Sequence, residues 1–302
     1  MSDTIKDIVG RIPDHKPPQD FFGTTTLDID DELGRRYIYD PYGMPGGMAT
    51  VYKGWDHRLG IPVAIKIGAP TIDPKTIDQE AHRLASLDHP NVIKILDLVS
   101  INDNQLAIIM KYFDPEYYPS LEMQLRQHSL ELSELPNYAR GLAGALDYLH
   151  ANGQLHNDVK PKNILIDSKL KRAVLIDLGI ATPPDITRSE GAGSYLFVSP
   201  ERLMLGEYVD PRSDFYSLAV TLFYAVANKM PYGTDLSEDT ILDYIVNKKP
   251  DLTPLDSRFG GSSEKLKEFF TKALSKNKAA RFQNGEEFAN AFSQATRSLS
   301  AL

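Results

Sequence analysis

The spacing of apolar residues changes once along this chain, and that change limits the folds open to it. Up to Met110 they fall in short β-branched and aromatic runs bounded by turn formers: Tyr37 to Tyr39, Thr50 to Gly54, Ile61 to Ile67, Val92 to Val99 and Leu106 to Met110. After residue 120 they recur at helical spacing. Leu135, Tyr138, Leu142, Leu146 and Leu149 define one face, with Gly153 as a stop. A small antiparallel sheet of about five strands followed by a mainly helical part is an α+β arrangement. One helix is predicted inside the strand-rich part, over Pro74 to Leu87, with Ile77, Ala81, Leu84 and Ala85 on one stripe and Glu80 beside it. At 302 residues the chain can hold one large domain or two smaller lobes, and two lobes sharing a cleft are expected.

Composition narrows the function classes. There is no cysteine, which removes disulfides, thiolate metal sites and thiol nucleophiles and points to a reducing, cytoplasmic compartment. A net charge of −8 argues against nucleic acid as a partner. The longest apolar run, Tyr216 to Ala227, is too short to span a bilayer and reads as a buried core helix, and no secretory signal is visible at the N-terminus. The first 35 or so residues, rich in Asp, Pro, Thr and Gly, read as an extended arm.

The stretch His156-Asn-Asp-Val-Lys-Pro-Lys-Asn163 concentrates chemistry. Asp158, Lys160 and Asn163 put a carboxylate, an ammonium and a carboxamide in one short segment. Phosphoryl transfer needs a base for the attacking hydroxyl, a cation for the migrating charge and an oxygen donor for a hard metal. Asp177, after the next apolar run, is a second candidate metal ligand. Taken alone, the stretch also reads as a polar turn between strands. Further up the chain, Gly46 and Gly47 lie in a hairpin whose backbone N–H groups suit phosphate oxygens, or in a plain turn. Ala64 and Lys66 share one face of a strand, which suits a flat ring against Ala64 with phosphates at Lys66; the lysine otherwise snorkels outward. Glu80 either holds Lys66 or is an exposed helix glutamate. Lys111 to Phe113 leave the sheet as a connection whose backbone suits a planar ligand. His82, His89 and His128 lack metal-ligand spacing.

Five segments occur in a fixed order: Gly46 to Val51, Val63 to Lys66 with Glu80 downstream, His156 to Asn163, Asp177 to Gly179, and Ser199-Pro200-Glu201. Together they resemble the Hanks-type, eukaryotic-like serine/threonine protein kinases, bacterial branch, over roughly Tyr37 to Phe288. The resemblance implies a kinase-like two-lobe fold: an N-terminal extension over 1–36, an N-lobe and hinge over 37–113 and a C-lobe over 114–302. It implies ATP with magnesium, or manganese in its place, and protein substrates carrying Ser or Thr. Autophosphorylation or self-association is expected, and no nucleic acid or membrane segment.

By position, Lys66 would contact the α- and β-phosphates and pair with Glu80, Asp158 would take the hydroxyl proton and Lys160 would meet the γ-phosphate. Asn163 and Asp177 would hold the metal. Gly46, Gly47, Val51, Ala64, Met110, Lys111, Tyr112, Phe113 and Leu165 would line the nucleotide site. Leu84, Ile95, His156 and Leu178 match the apolar spine, Asp214 its anchor, and Glu201 with Arg281 a buried brace. Three departures stand out. Met44 occupies the first glycine position, Leu178 replaces the phenylalanine of Asp-Phe-Gly, and Asn157 replaces the arginine that precedes the catalytic aspartate and receives an activating phosphate. The loop from Ile180 to Ser194 is therefore expected to work without phosphorylation. The alternative is a catalytically weak kinase-like module that binds nucleotide or acts as a scaffold.

Overall fold

The computed structural model describes residues 16–17, 27–28, 36–40, 42–45, 49–68, 85–102, 105–178, 194–204 and 206–297. Gly46, Gly47, Glu80, Leu84 and the segment from Gly179 to Gly193, with most of the helix expected over Pro74 to Leu87, lie outside the described residues. The chain divides into two compact units. The first comprises Met1–Leu87 and Lys94–Phe113, and the second Asp88–Ile93 and Asp114–Leu302.

The first unit is built on an antiparallel sheet. Its strands are β1 (Leu27–Asp28), β2 (Tyr37–Tyr39), β3 (Met44–Pro45), β4 (Ala49–Asp56), β5 (Ile61–Gly68), β6 (Ile95–Asn102) and β7 (Gln105–Lys111), ordered β1-β2-β4-β5-β7-β6 with β3 also on β4. Side chains alternate between faces and directly paired residues share one, so register sorts this sheet. Val63, Ile65, Ala107 and Ile109 fall on one face and join Tyr37 and Val99 in a buried core. The opposite face carries Val51, Lys66 and Ile108 in one row and Lys53, Ala64 and Met110 in the next. At the edge, the Arg36 guanidinium bridges buried Asp56 (2.7 Å) and Asp97 (2.5 Å), and the Tyr37 hydroxyl donates to Asp97 (2.9 Å). The pair β1–β2 adds a rung from the N-terminal arm.

One expected strand starts late. The run from Val92 enters the sheet only at Ile95, because Asn91–Ile93 is claimed by the second unit. The Ile93 N–H donates to the Leu175 carbonyl (2.8 Å), the Leu175 N–H to the Asn91 carbonyl (2.8 Å), and the Asn91 side chain to the Ala173 carbonyl (2.7 Å).

The second unit contains α1 (Leu121–Arg126), α2 (Leu135–Ala151), the hairpin β8 (Ile164–Asp167) and β9 (Arg172–Leu175), α3 (Pro200–Leu203), α4 (Arg212–Ala227), α5 (Glu238–Asn247), α6 (Thr253–Phe259), α7 (Glu264–Ala273) and α8 (Gly285–Thr296). All five apolar residues read on α2 are buried, and Gly153 follows it with φ +71°. Helix α4 is buried on nearly every side, as its unbroken apolar run requires, and ends where Asn228 turns left-handed. Phe269, Phe270, Phe282, Phe288 and Phe292 pack edge-on or stacked around α7 and α8, many ring centroids 5.1 Å apart. Each buried ring contributes about 1.5–3 kcal/mol of apolar burial. This core holds α4 still, and α4 carries the groups that fix the loop from His156 to Asn163.

Candidate active site

The loop hangs from α4 by one carboxylate. Asp214, 1% exposed, accepts the His156 N–H (2.9 Å), the Asn157 N–H (2.8 Å) and His150 Nε2 (2.8 Å). Burial pushes this carboxyl up, but the bond and charge of His150, with His156 beside it, hold it below the usual carboxylate range. The His156 ring is fixed in turn. Its Nε2 faces the Ile176 carbonyl (3.1 Å), which can only accept, so that nitrogen carries the proton and Nδ1 accepts the Asp158 N–H (3.3 Å). Asn157 sits at φ +64°, a left-handed conformation that asparagine adopts more readily than most residues.

These constraints set Asp158 among its partners. Lys160 Nζ lies 2.8 Å from Asp158 Oδ1, and Asn163 Nδ2 donates to Asp158 Oδ2 (2.6 Å) and to its carbonyl (2.9 Å). The β8–β9 hairpin then places Asp177. Ile164 pairs with Leu175, and the Ile176 N–H donates to the Asn163 carbonyl (2.9 Å), so Asn163 and Asp177 emerge from neighbouring strand ends. Asp177 is half-buried at φ +64°, and Leu178 behind it is buried. The structure thus gathers Asp158, Lys160, Asn163 and Asp177 in the second unit.

A further brace follows. Glu201 on α3 and Arg281 form a two-pronged buried ion pair at 2.7 and 2.8 Å. Burial raises the Glu201 carboxyl, yet Arg281 holds it below its ordinary value. Two groups escaped the sequence reading. His150, which completes the Asp214 cluster, had only its place at the end of α2 as a signal. Arg202, whose Nη1 donates to the Asn157 carbonyl, had none beyond adjacency to Ser-Pro-Glu.

The remaining candidates belong to other elements. Lys66, half-buried, shares its sheet face with Val51, Ala64 and Met110, as β5 alternation requires. Lys111 is exposed with its Nζ 5.1 Å from the Phe113 ring centroid, and Lys53 Nζ lies 5.7 Å from that of Tyr112. Leu165, half-buried in β8, pairs with Val174 and bridges to Ser120.

The donor set fits a hard cation. Asn163 commits its amide nitrogen to Asp158, which leaves the carboxamide oxygen, and Asp177 supplies carboxylate oxygens. Among the described residues no cluster of three His, Cys, Asp or Glu could cage a metal. Two protein oxygens suit an ion that arrives with phosphate and keeps its water.

An antiparallel-sheet unit bearing a strand lysine and a helical unit bearing this carboxylate–ammonium–carboxamide loop, in one chain, define the protein-kinase class. Residues 45–293 match the protein kinase domain family, and the chain belongs to it. It is similar to the Mycobacterium tuberculosis serine/threonine-protein kinases PknD (33% identity over 254 residues; 81% of this chain, 37% of the relative), PknF (32% over 266; 82% and 53%) and PknA (30% over 272; 86% and 61%). The chain therefore spans between about a third and three-fifths of these relatives. A crystal structure of the M. tuberculosis PknI kinase domain superposes with TM-score 0.62 at 26% identity, covering 85% of this chain and 96% of that one. A single-substitution form of the same domain gives 0.65 at 27%, covering 86% and 96%. No helix among the described residues is long and apolar enough to cross a membrane.

Proposed function

We propose that this chain is a serine/threonine protein kinase that transfers the γ-phosphate of ATP to protein hydroxyls. The observation that carries the reading is Asp158 held between Lys160 (2.8 Å) and Asn163 (2.6 Å) on a loop fixed to a buried helix. Asp158 orients the acceptor hydroxyl and takes its proton as the oxygen attacks phosphorus. Lys160 serves twice, steadying the carboxylate beforehand and meeting charge on the transferring phosphoryl. Lys66, paired with Glu80, contacts the α- and β-phosphates. Ala64, Val51, Met110, the hinge Lys111–Phe113 and Leu165 receive the adenine, and Gly46 and Gly47 cover the phosphates. Asn163 and Asp177 hold magnesium, or manganese in its place, which when bound neutralises phosphate charge.

Asn157 carries no guanidinium, so the enzyme belongs to the type that works without a phosphorylated activation loop. It phosphorylates cytoplasmic proteins on Ser and Thr, and itself. The test is transfer of labelled γ-phosphate to the protein and to a generic basic protein. Wild type should transfer and Asp158→Asn should not; equal signals from the two would defeat the reading. Thr182, Thr187 and Ser189 changed together to Ala should leave transfer standing, and its loss would overturn the phosphorylation-independent part. Phosphoamino-acid analysis should yield phosphoserine and phosphothreonine.

A further inference from the structure

Resting on the phosphorylation-independent reading above, we infer that Arg202 is a positioning residue: it braces the catalytic loop permanently through the Asn157 carbonyl. Every backbone polar group of Asn157 is engaged. Its N–H is held by Asp214 (2.8 Å), and its carbonyl receives Arg202 Nη1. The next residue is Asp158, so a rotation of the 157–158 peptide plane would carry the base away from Lys160 and Asn163. Asp214 restrains one side of residue 157, and Arg202 restrains the other.

The donor stands on a fixed support. Arg202 lies on α3, a single turn whose Arg202 N–H donates to the Ser199 carbonyl (3.1 Å). Its neighbour Glu201 is locked by Arg281, and the Ser199 hydroxyl meets that of Ser213 on α4 at 2.6 Å. Both restraints on residue 157 therefore trace back to α4, one through Asp214 and one through Ser213 and α3. Neither includes a group that must first be modified. A guanidinium on a carbonyl is a charge-assisted bond, stronger than one between neutral groups. The left-handed turn at Asn157 is also one that asparagine tolerates well, so residue type and brace favour the same loop shape.

The test compares Arg202→Met, which keeps the aliphatic stem and removes the donor, with Arg202→Lys, which keeps a cation. Arg202→Met should lower kcat for a peptide substrate roughly ten- to a hundredfold, with KM for ATP within about twofold. The same factor should appear before and after phosphatase treatment, and Arg202→Lys should recover part of the loss. Amide exchange at residues 156–160 should quicken in Arg202→Met while α4 stays protected. An unchanged kcat, or a loss that phosphorylation repairs, would overturn the proposal. If Arg202→Met does not fold, the lysine variant and Arg202→Gln carry the same comparison. If wild type shows no Asp158-dependent transfer, the kinase reading fails, and the exchange experiment alone decides whether the brace exists; unaltered exchange would refute it.

Discussion

Replacing Arg281 by Met strips the countercharge from a carboxylate that cannot reach water. The Arg281 side chain is 1% exposed and Glu201 5%. Two parallel bonds join them at 2.7 and 2.8 Å, and the guanidinium also donates to the carbonyls of Ser275 (2.7 Å), Lys276 (3.2 Å) and Arg212 (3.3 Å). Removing one partner of such a pair costs about 3–5 kcal/mol, chiefly because the survivor stays buried and charged. For a unit of this size each kcal/mol moves the melting temperature by about 2–4 °C. Thermal unfolding at neutral pH, followed by circular dichroism, should fall by roughly 6–20 °C.

The pH dependence supplies a second check. In wild type the Glu201 carboxyl is held below 4.5, so its stabilisation is present above that value and lost as pH falls through the lower folded value. In Arg281→Met burial, the largest influence on this carboxyl, is opposed only by the Ser199 hydroxyl and a backbone N–H, so the carboxyl protonates more readily than in wild type and the variant's deficit should narrow on acidification. Changing Glu201 and Arg281 together to Met should recover more than half the loss. A shift under about 4 °C for Arg281→Met, or a deficit that widens in acid, would refute the reasoning.

Three other outcomes are expected. Arg212 holds the Asp210 carboxyl at about 2, so this group adds stability above 3.8 that disappears as pH falls through 2; Asp210→Asn should flatten that part of an acid titration followed by the helical circular dichroism signal. Asp214→Asn should lower stability by about 2–4 kcal/mol in urea unfolding, since a carboxamide cannot answer three donors as a carboxylate does, and should lower kcat with it. Asn163→Ala should raise the metal concentration needed for half-maximal transfer at least tenfold while leaving the fold intact; an unchanged metal requirement would remove Asn163 from the metal site.

What the sequence disclosed depended on periodicity and on local motifs. Helix α4 was legible because burial on all sides leaves an unbroken apolar run, and α2 because burial on one side leaves a stripe. The sheet was readable from its alternating runs, but not the entry point of β6. Val92 and Ile95 look alike in sequence, and only the long-range bonds of Asn91–Ile93 to Leu175 separate them. Asp158, Lys160 and Asn163 were readable because they lie within six residues of one another. Arg202 acts on that same loop from a distant sequence position, and His150, though close to the loop in sequence, acts through the distant Asp214, so no local pattern announces either contact. The Arg36, Asp56, Asp97 and Tyr37 cluster was hidden likewise, since its charges come from separate strands.

The suspension of His156 and Asn157 from Asp214 has a thermal consequence. Most loops fray well below the temperature at which their scaffold melts. Here a private opening of the loop would strand a carboxylate inside the helical core, so the cheaper route is for loop and core to let go together. A heated sample should keep its working geometry nearly to the main transition, and then lose it within the same few degrees.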